Sequence, residues 1–393
     1  VYLLGNFRWT TIIIMVASLP FWGLSRDALF LSLPLLAGLT YLVAPPGRFT
    51  TGATAFLSAL SGILVLAKFS VFPFAVFISI LIDIAAVSRR HYMFSTPILF
   101  LALYIIYGFL NSFDPAAFLN YLKYSLDTAK NFGDAMSDHP DVLKLELSEI
   151  GLFIFASLLA FVSVIVTERT LVRNKRSDLQ TAALVLLIVL AYLFILLKTG
   201  FVRHDFHTRT AWTGLIVMGT IYIAARGGYR TPGCMEVCLG IAMLTGVVAF
   251  HLAPSSITPD FRVSRSIENQ LKAPFLQLQE LVQFVSHPGE WMSHKENGKN
   301  SAFKQIQDSR KLPQLSGTVD SIPNIQTAIL AAGLDLKPRF TIQEYTSYSD
   351  RLIQKNTSYY NSEHAPDFVF FSPGSISGRH PAHADGYLWP VLY

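Results

Sequence analysis

Nine long apolar runs, nearly free of charge, occupy most of the first 254 residues of this chain. They cover approximately 9–24, 28–45, 52–67, 70–88, 94–112, 149–167, 178–197, 210–225 and 233–252. Each is about long enough to cross a bilayer core of roughly 30 Å as a helix. Lipid admits only backbones that satisfy their own hydrogen bonds, so the pattern predicts a polytopic helical membrane domain. Charge follows the same division. Residues 1–254 hold 18 Lys and Arg with 13 Asp and Glu, or 31 charges in 254 positions. Residues 255–393 hold 13 of each, or 26 in 139, nearer the roughly 25% of a soluble domain. A purely soluble enzyme is excluded. The net charge of +5 lies wholly in the membrane part, so it does not indicate a nucleic-acid partner.

Lys and Arg near the segment ends set the orientation, because they favour the cytoplasmic side. With a cytoplasmic N-terminus, the inner loops carry Arg8, Arg48, Arg89, Arg90, Arg169, Arg173, Lys175, Arg176, Arg226 and Arg230. The short outer loops carry Arg26, Lys68, Lys198, Arg203 and Arg209. An odd number of spans then puts residues 253–393 outside. Three regions are expected: a transmembrane helical domain over 1–252, a helical connector over 253–316, and a small extracytoplasmic α/β domain over 317–393. Val1 and the stop at Tyr393 after an apolar run are read as the ends of a fragment, with the last domain truncated.

The outer stretch 113–149 holds seven of the 13 acids of the front part. Its start, with Phe118, Leu119, Leu122 and Leu126 at helical spacing, reads as an amphipathic helix lying on the membrane surface. Further on, Ile267, Leu271, Phe275, Leu278 and Leu281 form a helical stripe despite Pro274. From 317 the rhythm changes. GTVDSIP reads as a strand and turn, NIQTAILAAGL as a helix ending at Gly333, and RFTIQEY as a strand. SYSDRLIQKNTSYYN reads as a helix capped by Ser347 or Ser349, and DFVFF as a buried strand. This order implies a mainly parallel sheet.

The loop Lys198-Thr-Gly-Phe-Val-Arg203-His204-Asp205-Phe-His207-Thr-Arg209 carries the most chemistry. Lys198, Arg203 and Arg209 stand where positive charge is disfavoured, and guanidinium groups match phosphate in bidentate geometry. A lipid-linked phosphate or pyrophosphate fits such a loop. His204, Asp205 and His207 offer a general acid or base near neutral pH. The alternative is a solvated loop held by a local Arg–Asp pair. Asp134, followed by Asp138, His139 and Asp141, is a second candidate base. Asp27 beside Arg26 is a weaker one. Asp83, inside an apolar segment, is expected to pair with Arg89 or Arg90 near the interface. In the back part Asp320, Arg339 and Arg379 stand at strand ends, where parallel sheets bind ligands. Asn356-Thr-Ser358 matches a glycosylation acceptor. Cys234 and Cys238 read as helix-packing residues, and no metal-ligand set or cofactor motif is present, with a divalent ion left open.

The arrangement resembles the bacterial polytopic envelope proteins that build surface glycans, namely the O-antigen ligase and polymerase group and the C-type membrane glycosyltransferases. In the ligase-like group, Arg and His residues of an outer loop hold the donor pyrophosphate and activate the acceptor; Arg203, His204 and His207 look like candidates for those roles. The stretches from Gly317-Thr-Val-Asp320 to Phe340, Tyr345–Tyr348, Ala365–Phe368, Lys198–His207 and Phe132–Ser137 look similar to a large set of bacterial membrane proteins without an assigned activity. The resemblance implies a multi-pass protein of the bacterial cytoplasmic membrane. It would transfer a sugar or oligosaccharide from a polyprenyl-phosphate-linked donor to an acceptor hydroxyl at the outer face. Its partners would be the bilayer and the lipid-linked glycan. A non-catalytic scaffold or sensor with a partner-binding outer domain, or an envelope transporter, are the alternatives.

Overall fold

The computed structural model describes residues 25–90, 93–136, 143–202, 207–226, 240–246, 263–322, 325–342, 346–371 and 386–392. It divides into two compact units. One comprises residues 1–119 and 139–272, the other 120–138 and 273–393.

The first unit is helical. In chain order it contains α1 (Arg26–Val43), α2 (Arg48–Ala67), α3 (Phe72–Ser88, entered through a 3-10 turn at Phe69–Val71) and α4 (Ser95–Asn111). The start of α5 (Pro115–Met136) follows, then α6 (Leu143–Arg173), α7 (Leu179–Phe201) and α8 (Thr208–Arg226). Side-chain caps set several of these starts. Ser25 accepts from the Ala28 amide ahead of α1, and Asp178 accepts from the Thr181 amide at 2.7 Å ahead of α7.

Among the described residues five stretches are long and apolar enough to cross a membrane: 26–43, 48–67, 69–88, 148–173 and 179–201. A sixth is added if α4 and the first part of α5, bent by 110° at the Ser112 turn, count as one span. The protein is therefore of the helical membrane class. Of the nine runs expected from sequence, 9–24 and most of 233–252 lie outside the described residues. The run 210–225 is α8, whose residues are buried on every side from Thr210 to Ile223. A helix enclosed by its neighbours needs no lipid-facing apolar surface. This lets α8 carry Thr208, Thr210, Thr213 and Thr220.

Small residues let the helices approach closely. A Cβ on Gly200 would lie 2.5 Å from that of Ala211, which seats the end of α7 against the start of α8. A Cβ on Gly62 of α2 would lie 2.3 Å from the Leu99 carbonyl oxygen of α4. Hydroxyls reinforce that contact: Ser58 and Ser95 Oγ atoms are 2.7 Å apart, and Ser95 donates to Ser79 at 3.1 Å. Asp83 does not pair with Arg89 or Arg90. Its carboxylate accepts from the Ser95 and Thr96 amides, at 2.5 and 3.1 Å, and so caps α4 from the neighbouring α3. The α4 N-terminus has no capping side chain of its own, so a helix dipole and two orphan amides draw the carboxylate in. Arg89 instead donates to the Tyr41 and Leu42 carbonyls and to Thr181 Oγ1. At the same end Glu168 and Arg226 form a buried bidentate pair at 2.8 and 2.6 Å, with the Tyr222 hydroxyl donating to Glu168 at 2.9 Å.

The second unit joins residues 120–138 of α5 to the C-terminal part. Its elements are α9 (Val263–Ser286, from residue 273 on), α10 (Pro288–Ser309), β1 (Thr318–Ile322), α11 (Gln326–Ala331) and β2 (Asp335–Leu336). Then come α12 (Asp350–Tyr360) and β3 (Phe368–Phe371). The three strands form a parallel sheet in the order β2-β1-β3, with Val319 opposite both Leu336 and Phe368. Val319, Ile329 and Leu334 form its core. Gly333 takes φ +71°, the left-handed turn that ends α11. Ser349 caps α12, while Ser347 is used elsewhere, holding Asn356 at 2.9 Å.

Two strand expectations need correction. RFTIQEY forms no strand in its described part. The Arg339 and Thr341 amides donate to the side chains of Asp320 and Asn356 rather than to a strand. The second strand lies earlier, at 335–336. DFVFF is a strand, but an edge one: Phe368 is 41% exposed, not buried. Asn356 is fully buried in α12, so the acceptor pattern there is closed to a glycan.

Residues 120–136 dock on this unit through named contacts. The Lys355 ammonium donates to the Tyr124 hydroxyl at 3.0 Å and stands over the rings of Tyr124 and Phe340, at 4.4 and 4.1 Å. Ser349 donates to Asp127 at 2.6 Å, and Phe132 meets Tyr348 edge-on. Of the apolar stripe, Phe118 is packed against Tyr104 and Tyr107, while Leu119 and Leu126 are exposed.

Candidate functional site

One end of the first unit gathers the polar groups. There α1, α6 and α8 begin and α2 and α7 finish. Ser25 and Thr210 hydroxyls meet at 2.8 Å, tying the head of α1 to the head of α8. Lys68, just past α2, forms an ion pair with Asp27 in the first turn of α1, both about one-third exposed. The indole of Trp212 donates to Glu149 at 3.0 Å, tying α8 to α6. Beneath this bond Phe153 stacks edge-on against Trp212 and leans on Phe201, each at 5.2 Å between centroids. Phe153 and Trp212 are both 1% exposed, so the polar rim rests on a closed aromatic floor.

Three of the residues expected from sequence lie at this same end of the unit, at the finish of α7 and the start of α8. Lys198 is exposed in the last turn of α7, and His207 and Arg209 are half-buried at the head of α8. Arg203, His204 and Asp205 belong to the same loop but lie outside the described residues, as does Arg379. Asp134 is in α5, within the second unit. That end thus carries Lys198 and Arg209 besides the Lys68–Asp27 pair and the Glu149 carboxylate. Cations at the edge of a low-dielectric bundle favour a bound anion more strongly than they would in open water. Among the described residues no group of three or more His, Cys, Asp or Glu is placed to hold a metal ion.

Sequence reasoning missed Glu149 and Trp212 as a pair, and took Asp27 only with its neighbour Arg26. The available signal was position. Glu149 opens an apolar segment and Trp212 stands near the head of another, at the level where amphipathic rings and polar tips collect.

In the second unit Asp320 and Arg339 face each other rather than solvent. Both side chains are fully enclosed. The Asp320 carboxylate accepts from the Arg339 amide and guanidinium, each at 3.2 Å, and from the Tyr360 hydroxyl at 2.6 Å. Arg339 also donates to the Ser321 carbonyl at 2.6 Å. Burial and the Asp320 charge push the Tyr360 phenol well above its usual range, so it stays a donor at any physiological pH. The group locks the C-terminal end of β1 to the segment after β2.

No protein-family model, curated protein or solved structure matches this chain.

Proposed function

We propose that this protein is a membrane-embedded glycan-assembly enzyme. It takes a sugar or oligosaccharide from a polyprenyl-phosphate-linked donor and passes it to an acceptor hydroxyl at the outer face of the membrane. The reading is carried by the position of Lys198 and Arg209 at the end of an apolar bundle, the end where Lys68 pairs with Asp27. In finer form it has nine spans, a cytoplasmic N-terminus and the second unit outside, as an α/β domain that takes the acceptor. The rim then faces outward, and Arg89, Arg169, Arg173 and Lys175 face the cytoplasm, as the asymmetry of basic residues favours.

The chemistry follows from the charges. The acceptor oxygen attacks the anomeric carbon, the bond from that carbon to the phosphate oxygen breaks, and the phosphate leaves with the electron pair. Lys198, Arg203 and Arg209 stabilise the charge that develops there. The acceptor proton passes to a base, His207 or one of His204 and Asp205. Asp320 and Arg339 hold the strand ends of the acceptor unit, and Arg379 contributes to acceptor binding. No cofactor is required by this scheme.

The test is transfer from an undecaprenyl-pyrophosphate-linked glycan by protein purified in detergent. Arg203→Ala and Arg209→Ala are expected to abolish transfer while the protein keeps its thermal unfolding profile. Undiminished transfer by both variants overturns the site.

A further inference from the structure

The part of α9 that lies in the second unit carries apolar surface that no described residue covers. Phe275, Leu278, Leu281, Val282 and Val285 fall on one side of the helix at spacings of three and four. They are 73, 58, 56, 56 and 71% exposed, respectively. The other side meets α10 at two points: Phe284 stacks edge-on against Trp291 at 5.1 Å, and Lys295 donates to Glu280 at 3.0 Å, while Leu276 and Phe284 there stay 58 and 47% exposed. A contiguous exposed stripe of this kind marks a contact surface.

We infer that this face of α9 lies on the bilayer surface, with the helix axis in the membrane plane. Three observations choose lipid over a second copy of the chain. First, the stripe is too broad for a two-helix seam. Phe275, Leu278, Val282 and Val285 occupy seam positions, but Leu281 widens the stripe to the roughly 100° face of a surface helix. Second, the positions flanking a seam would be Pro274, Leu281, Gln279 and Ser286, which offer no complementary charges to select a partner helix. Third, the membrane is near in sequence. Ten residues separate the apolar run 233–252 from Val263, a reach of at most about 35 Å. The segment 273–286 contains no Lys or Arg, so attachment depends on buried apolar area rather than on anionic headgroups. The inference rests on the membrane class of the protein and not on its proposed activity.

The experiment uses the full chain in vesicles of phosphatidylcholine, with Cys234→Ser and Cys238→Ser as background. A nitroxide is attached at one position at a time through Leu278→Cys, Val282→Cys, Val285→Cys, Gln279→Cys or Gln283→Cys. Collision with apolar oxygen and with a water-soluble nickel chelate is then read by electron paramagnetic resonance. The oxygen-to-nickel ratio is expected to be several-fold higher at 278, 282 and 285 than at 279 and 283, and to be unchanged by high salt. Equal nickel access at all five positions overturns the inference. Dipolar broadening at 278 and 285 that vanishes on dilution with unlabelled protein also overturns it, in favour of a second copy.

Discussion

The Trp212 indole nitrogen and the Glu149 carboxylate meet at 3.0 Å across α8 and α6, and the ring that makes this bond is 1% exposed. A buried donor stripped of its acceptor bears the full desolvation penalty, about 1–3 kcal/mol. Glu149→Ala should lower the heat-unfolding midpoint in detergent, whereas Glu149→Gln, which keeps an acceptor oxygen, should restore most of it. Equal losses in both variants would mean that charge, not the hydrogen bond, is what Glu149 supplies.

Glu168 and Arg226 are 1% and 3% exposed, and their pairing is bidentate. Removing one partner of a buried pair costs about 3–5 kcal/mol, because the other charge stays behind without compensation. Glu168→Leu or Arg226→Met alone should therefore destabilise strongly, and the double variant should recover most of the loss. A double variant as unstable as either single one would assign the effect to Tyr222 or to packing.

The Tyr192 hydroxyl is buried with no hydrogen-bond partner among the described residues, its ring 5.6 Å from Phe74. Tyr192→Phe removes only that oxygen. It should leave the unfolding midpoint unchanged or raise it, by an amount on the order of 1 kcal/mol. A clear drop would reveal a partner for the hydroxyl.

Asp367 ties β3 to the start of β1, accepting from the Thr318 amide at 2.7 Å and from its hydroxyl at 2.9 Å. These two bonds hold its carboxyl below the ordinary range. The sign follows directly. A depressed folded-state value adds stability above the unfolded value of about 4, and the gain is lost as pH falls through the folded one. The stability difference between wild type and Asp367→Asn should be constant at neutral pH and shrink on acidification. A gap that widens in acid would contradict the assignment.

Much of the architecture was legible because it depends on local pattern. Five apolar runs emerge as helices of membrane length. The helix starting after Ser349 and the turn at Gly333 follow from capping and left-handed geometry. What was hidden depends on partners far apart in sequence. Asp83 looked like a neighbour for Arg89, six residues on, but the amides of Ser95 and Thr96 form a better-matched site for its charge. RFTIQEY has the residue content of a strand, yet its amides are taken by Asp320 and Asn356, and Phe340 packs on Tyr124, which no local pattern announces. At the rim, the place of Lys198 and Arg209 at the ends of apolar helices was readable. The Glu149–Trp212 and Asp27–Lys68 pairs that frame it were not, since each joins segments dozens of residues apart.

The central claim is that the rim holds the phosphate of a lipid-linked donor. It is tested most directly by equilibrium binding of an undecaprenyl-pyrophosphate-linked glycan to the purified protein in detergent, with wild type set against Arg209→Ala and Arg203→Ala. The account predicts saturable binding to wild type that is lost in both variants, with unfolding midpoints unchanged. Equal binding by all three proteins, or no binding by the wild type, would contradict it and leave the rim as structural polar surface.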